Sequence, residues 1–139
     1  MEFAMLEPVQ EFTEHEISDE TAQLAQEHAQ VSFKHGKSVE NVGKLLEKQG
    51  KEKGHSIAEK GKEMQEHAEA SLKYAQDAEH QKGNASTKSH NLATREHVKQ
   101  AQAHVEANKE YSKMLEKQME QAQTVLNKST QFLESRSQE

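Results

Sequence analysis

Apolar residues recur at steps of three and four along most of this chain, the period of a helix that buries one face. In the first third, Leu24, Val31, Val42, Leu45 and Leu46 share a stripe into which His28 and His35 are set. A second series runs Ile57, Met64, Ala68, Leu72, Ala75 and Ala78. The third is Val98, Ala101, Val105, Asn108, Ser112, Leu115, Met119, Ala122, Leu126 and Leu133, spaced like a coiled-coil seam with two polar interruptions. Nowhere do β-branched and aromatic residues alternate over the length of a strand, so no sheet is expected.

Glycine marks the breaks. The clearest are Gly50-Lys51-Glu52-Lys53-Gly54 and Gly83-Asn84, with a weaker one at His35-Gly36-Lys37-Ser38, where Ser38 could cap a new helix. The pattern predicts an all-α, antiparallel helical bundle with four helices over 16–50, 55–82, 85–107 and 110–135. The first is open to a break at Gly36. The division near 107–110 rests on Asn108 and Ser112. If these only weaken one longer helix, the chain has fewer, longer helices that complete their bundle by dimerising. The bundle occupies 13–135, between a loose arm at 1–12 (native, a tag or a processed remnant) and a frayed tail at 136–139. Gly36, Gly43 and Gly50 repeat every seven residues. They are either weak points costing up to ~1 kcal/mol each against Ala, or the sign of a close approach between helices.

Composition sharpens this picture in three ways. Pro8 is the single proline, so nothing forbids helix from residue 13 onward. Leu, Ile, Val and Phe are sparse while Ala, Glu, Gln and Lys abound, which permits thin seams between helices and no thick core. Cysteine is absent, removing disulfides, thiolate metal sites and thiol nucleophiles together. The 18 basic and 24 acidic residues are intermixed, for a net charge of −6, so no basic face is available for nucleic acid. No stretch reaches the ~20 apolar residues of a membrane span, and MEFAMLEPVQEF does not read as a signal peptide.

Nine histidines remain to be explained, dispersed between His15 and His104. Several belong to a repeat. Glu27-His28-Ala29-Gln30-Val31-Ser32-Phe33-Lys34-His35 aligns with Glu66-His67-Ala68-Glu69-Ala70-Ser71-Leu72-Lys73-Tyr74, and more loosely with Glu96-His97-Val98-Lys99-Gln100-Ala101-Gln102-Ala103-His104. His90 extends the third copy backwards by seven. This Glu-His-Ala/Val unit, joined by short Gly-Asn or Gly-Lys turns, resembles the small metal-binding protein family over a third to a half of the chain. The resemblance implies a periplasmic, His-rich four-helix bundle that binds copper and other divalent ions. Tyr74 stands where the repeat would have a histidine, and no histidine follows His104, so the last quarter is expected to be structural.

Neutral imidazole is a borderline ligand suited to Cu(II), Ni(II) and Zn(II), with Cu(II) favoured here. Residues seven apart are separated by about 10.5 Å along a helix, so His90, His97 and His104 share a face but not an ion. Chelation within one helix needs partners three or four residues away. His15, His55, His67 and His80 have such carboxylates, Glu63 for His67 and Asp77 for His80. His28, His35, His90, His97 and His104 have none and would need ligands from a neighbouring helix. Folding 55–82 back on 85–107 levels residues whose numbers sum to about 167. This predicts one group of Asp77, His80 and His90, and a second of His67 with His104, to which Glu63 could add. Taken singly, a histidine on a helix is more often solvated or hydrogen-bonded than a ligand; density and repetition carry the metal reading.

Catalysis is not expected. No phosphate-binding glycine loop, dinucleotide fingerprint or His-Glu-x-x-His motif occurs, and Asp77-Ala78-Glu79-His80 is only half of a carboxylate-bridged di-iron pattern. The expectation is therefore a binding protein, monomeric or homodimeric, that buffers or scavenges divalent metals. The alternative is a helical interaction, scaffold or stress-protectant protein using the apolar seam of 110–135, where Met114, Leu115, Met119, Ala122, Val125, Leu126, Phe132 and Leu133 gather.

Overall fold

The computed structural model describes residues 16–137. Three helices follow one another, α1 (Asp19–Lys48), α2 (Gly54–His80) and α3 (Gly83–Ser137), and no strand occurs among the described residues. The all-helical expectation is met. The expected division at 107–110 is not: 85–107 and 110–135 belong to one 55-residue helix. No proline or glycine follows Gly83 to break it. Asn108 and Ser112 face solvent, where a polar side chain costs the helix little, while Ala107 and Met114 carry the buried face across the same stretch. Ser56 of α2 also donates its hydroxyl to Glu110 at 2.7 Å, fastening the helix where the break was expected. Arg136 and Ser137 are helical rather than frayed, and the arm at 1–12 lies outside the described residues.

Each helix end has a local cause. Ser18 caps α1 by accepting a hydrogen bond from the Thr21 amide at 3.2 Å, and Asp19 and Glu20 place negative charge at the positive end of the helix dipole. At the other end Gly50 adopts a left-handed conformation, φ 74°. Its amide donates to the Glu47 carbonyl at 3.0 Å and the Lys51 amide to the Leu46 carbonyl at 2.9 Å, the paired bonds of a Schellman stop. Gly83, φ 58°, turns the chain between α2 and α3. That turn is latched to the start of α1: the Gly83 amide donates to Glu16 at 3.2 Å and the Ile17 amide to the Ser86 hydroxyl at 3.1 Å. Ser86 in turn donates to the Ala78 carbonyl at 2.6 Å.

The core is built on a seven-residue ladder of small side chains. Ala22, Ala29, Gly36 and Gly43 are buried on α1, and Gly54, Gly61, Ala68 and Ala75 on α2. A Cβ added at Gly43 would lie 2.2 Å from the Ala58 nitrogen, one at Gly54 2.4 Å from the Glu47 nitrogen, and one at Gly61 2.3 Å from the Glu40 nitrogen. These are backbone atoms, which cannot step aside. The two helices therefore run antiparallel in near-backbone contact, and Gly36 lies inside an unbroken α1 rather than at a break. Of the two readings of the glycine ladder, close approach is the one realised at Gly36 and Gly43, while Gly50 forms the turn. The third helix continues the ladder with Ser86, Ala93, Gln100, Ala107 and Met114, all buried. Larger side chains collect towards the α1–α2 turn, where Leu46, Ile57 and Met114 form a cluster against Val39.

In an unpacked helix Gly→Ala is stabilising by about 1 kcal/mol. At Gly43 or Gly61 the sign should reverse, with a loss of about 1–3 kcal/mol from forcing the helices apart. Urea unfolding of Gly43→Ala and Gly61→Ala checks this; a raised midpoint in both would contradict the close approach.

Candidate functional site

The chain folds so that α1 and α3 run parallel and α2 runs against both. α1 and α3 each pack broadly on α2 and touch one another sparingly. Where they touch, their residues differ by a constant 69 in number: Ile17 meets Ser86, His28 meets His97 and His35 meets His104. The His28 and His97 rings lie 6.0 Å apart, centre to centre, at 72° to one another. One heptad further on, the His35 and His104 rings are 5.9 Å apart at 53°. The same offset sets Thr21 beside His90 in sequence register, and Val42 and Tyr111 line one groove between the helices.

For His97 and His104 the surroundings favour the neutral ring. Burial, and then the positive charge that His28 would carry, hold the His97 pKa below the ordinary value of 6.5. Burial, and then His35, do the same for His104. A neutral imidazole has a free lone pair, which is what a metal ligand needs. At metal–nitrogen distances of about 2.0–2.1 Å the ion sits roughly 3 Å from each ring centre, so two rings about 4.5–6 Å apart can share one ion. Both pairs lie at the upper end of that range.

The other expected ligands are placed differently. Among the described residues no three His, Asp or Glu side chains converge closely enough to hold an ion. The expected Asp77–His80–His90 group thus does not form: His90 is fully buried, Asp77 half-buried and His80 exposed. Nor does His67 join His104. His67 Nδ1 lies 2.9 Å from Glu96 Oε1, and His104 is taken by α1. Glu96 also accepts from Lys99 at 3.1 Å. Burial pushes the Glu96 carboxyl up, but the His67 and Lys99 hydrogen bonds outweigh it and leave the pKa lowered. Glu63 is drawn to Lys60 at 3.2 Å, and Lys60 reaches on to Glu106 at 3.5 Å. His55 is exposed beside Glu47, at 3.1 Å, and His15 lies outside the described residues. Tyr74, in the repeat position of a histidine, packs on the Ala25–Ala75–Ala93 cluster.

The level rule for α2 and α3 was close: Ser71 meets Ala93 and Lys60 meets Glu106, at sums just below 167. What the sequence reasoning missed was the contact of α1 with α3. Its signal was present, because the offset of 69 is also the offset between the first and third repeat copies. Those two copies lie side by side, in register.

No helix among the described residues is long and apolar enough to cross a membrane. No family model, curated protein or solved structure matches the chain.

The lowered histidine pKa values set a sign for stability. The unfolded chain takes up protons near pH 6.5, while His97 and His104 resist them when folded. Their contribution is therefore complete above pH 6.5 and lost as the pH falls through and below it. In chelator-treated protein the Tm should drop between pH 7.5 and 5.5, and less so in the His97→Gln/His104→Gln double variant. An equal drop in both proteins would show that these rings do not sense the fold.

Proposed function

We propose that this protein binds divalent transition metal ions, Cu(II) by preference and Ni(II) or Zn(II) as alternatives, through two imidazole pairs, His28 with His97 and His35 with His104. The observation that carries the reading is the repeated, in-register pairing of four histidines on two different helices. Each pair would supply two nitrogen ligands, leaving the remaining coordination positions to water or to a ligand molecule that arrives with the ion. Such open sites suit buffering, scavenging or carriage rather than catalysis. His67, His80, His90, Glu63 and Asp77 fall outside the reading. The resemblance of the Glu-His-Ala/Val units to the small metal-binding protein family supports it, and brings with it a periplasmic setting as part of the proposal.

An ion shared by α1 and α3 would bridge the helix pair with the fewest mutual contacts. Binding to the folded chain alone raises stability by mass action, about 2.7 kcal/mol when free ligand is a hundredfold above Kd.

Isothermal titration of chelator-stripped protein with Cu(II), Ni(II) and Zn(II) tests the proposal. Up to two equivalents are expected at pH 7.5 and few at pH 5.5, because protons compete for the imidazoles. The His97→Ala/His104→Ala variant should lose both, while His55→Ala should lose neither. Unchanged stoichiometry in the paired variant would overturn the proposal.

A further inference from the structure

Among the described residues nothing covers the last part of α3. Met114 is the last buried residue of α3; Lys117 still reaches Glu52 of the α1–α2 turn at 3.6 Å, and beyond Gln121 the helix projects past that turn. Leu115 (40% exposed), Met119 (72%), Val125 (64%), Leu126 (57%), Phe132 (61%) and Leu133 (67%) open to solvent. Leu115, Met119, Ala122, Leu126, Ser129 and Leu133 fall at alternating steps of four and three, which places them on one coiled-coil seam. The buried ladder of α3 is a separate set, ending at Met114. A lone helix of this length is marginal in water, and Thr124, Val125, Asn127 and Thr130 do not favour it.

We propose that this arm pairs with the same arm of a second copy, antiparallel, to form a homodimer. Two observations select that occupant. First, the residues flanking the seam carry almost no charge: Gln118, Gln123, Val125, Thr130 and Phe132, against the single Glu116. Lys117, Glu120, Lys128 and Glu134 stand off this strip and Arg136 follows Leu133 at its outer end, so an identical copy meets an uncharged surface between Leu115 and Leu133. In the antiparallel register that sets Leu115 against Leu133 of the second copy, Ala122 faces its Leu126 and Glu120 lies level with its Lys128. Second, the area suffices. Six large apolar side chains, at on the order of 100 Å² each, give about 600 Å² per copy, and both arms together reach the lower end of stable interfaces.

The pairing is independent of the metal proposal, and its test is run in chelator so that shared ions cannot mimic it. Sedimentation velocity of the full chain should give twice the 15.8 kDa chain mass at tens of micromolar. Leu126→Glu/Leu133→Glu should halve that mass while leaving the bundle's melting intact, since the arm lies outside the bundle. The chain has no cysteine, so the register can be read directly. Mixed and oxidised, Leu115→Cys and Leu133→Cys proteins should give the mixed disulfide in excess over either self-pair. A monomer at every concentration, a dimer indifferent to the two glutamates, or a preference for self-paired disulfides would each overturn the proposal.

Discussion

The near-contact of the α1 and α2 backbones is the constraint on which the rest of this molecule depends. Gly43, Gly54 and Gly61 face Ala58, Glu47 and Glu40 so closely that a methyl group would meet main-chain nitrogen. A chain with few large apolar residues cannot fill a wide space between helices. It gains dispersion and burial by bringing the helices together until small side chains suffice. The entropic cost of glycine within helices is thereby offset by packing that no larger residue would permit. Register follows from the same contact, because sliding by one residue would drive a side chain into a backbone.

Once α1 and α2 are locked, α3 lies along α2 on its own ladder of small residues, and α1 is brought beside α3 in parallel. This third contact is thin, and it is where the histidines meet. Burial and a like partner both act on His97 and His104 in this contact and lower their pKa values below the ordinary histidine value. A pair of this kind has two ways to become favourable, a shared cation or a pH high enough to leave the rings neutral. The metal reading and the pH dependence of stability are consequences of the same geometry.

The third helix also carries a seam that the bundle leaves uncovered. Val98 and Val105 start it alongside the bundle, and Met119 to Leu133 continue it beyond. Where helices of one chain are this narrow and one is far longer than its partners, association through the surplus length is the natural way to cover the apolar stripe, because lone surface helices rely on packing more than on propensity.

Helical periodicity, the turns at Gly50 and Gly83 and the absence of strand among the described residues were legible in the sequence, because they depend on the spacing of apolar residues and on the two glycines that adopt positive φ. The histidine repeat was legible as well, down to the offset of 69 that the fold converts into contact. Whether 85–135 is one helix or two was left open by the sequence, because Asn108 and Ser112 weaken a seam only if that seam is buried, and burial belongs to the tertiary structure. The ligand groups assembled from Asp77, His80 and His90, and from His67 and His104, failed for a related reason. Levelling two helices fixes height along the axis and leaves rotation about it undetermined. Rotation was decided by the glycine contact of α1 with α2 and by the ladder that seats α3, which turn His67 to Glu96 and His104 to His35.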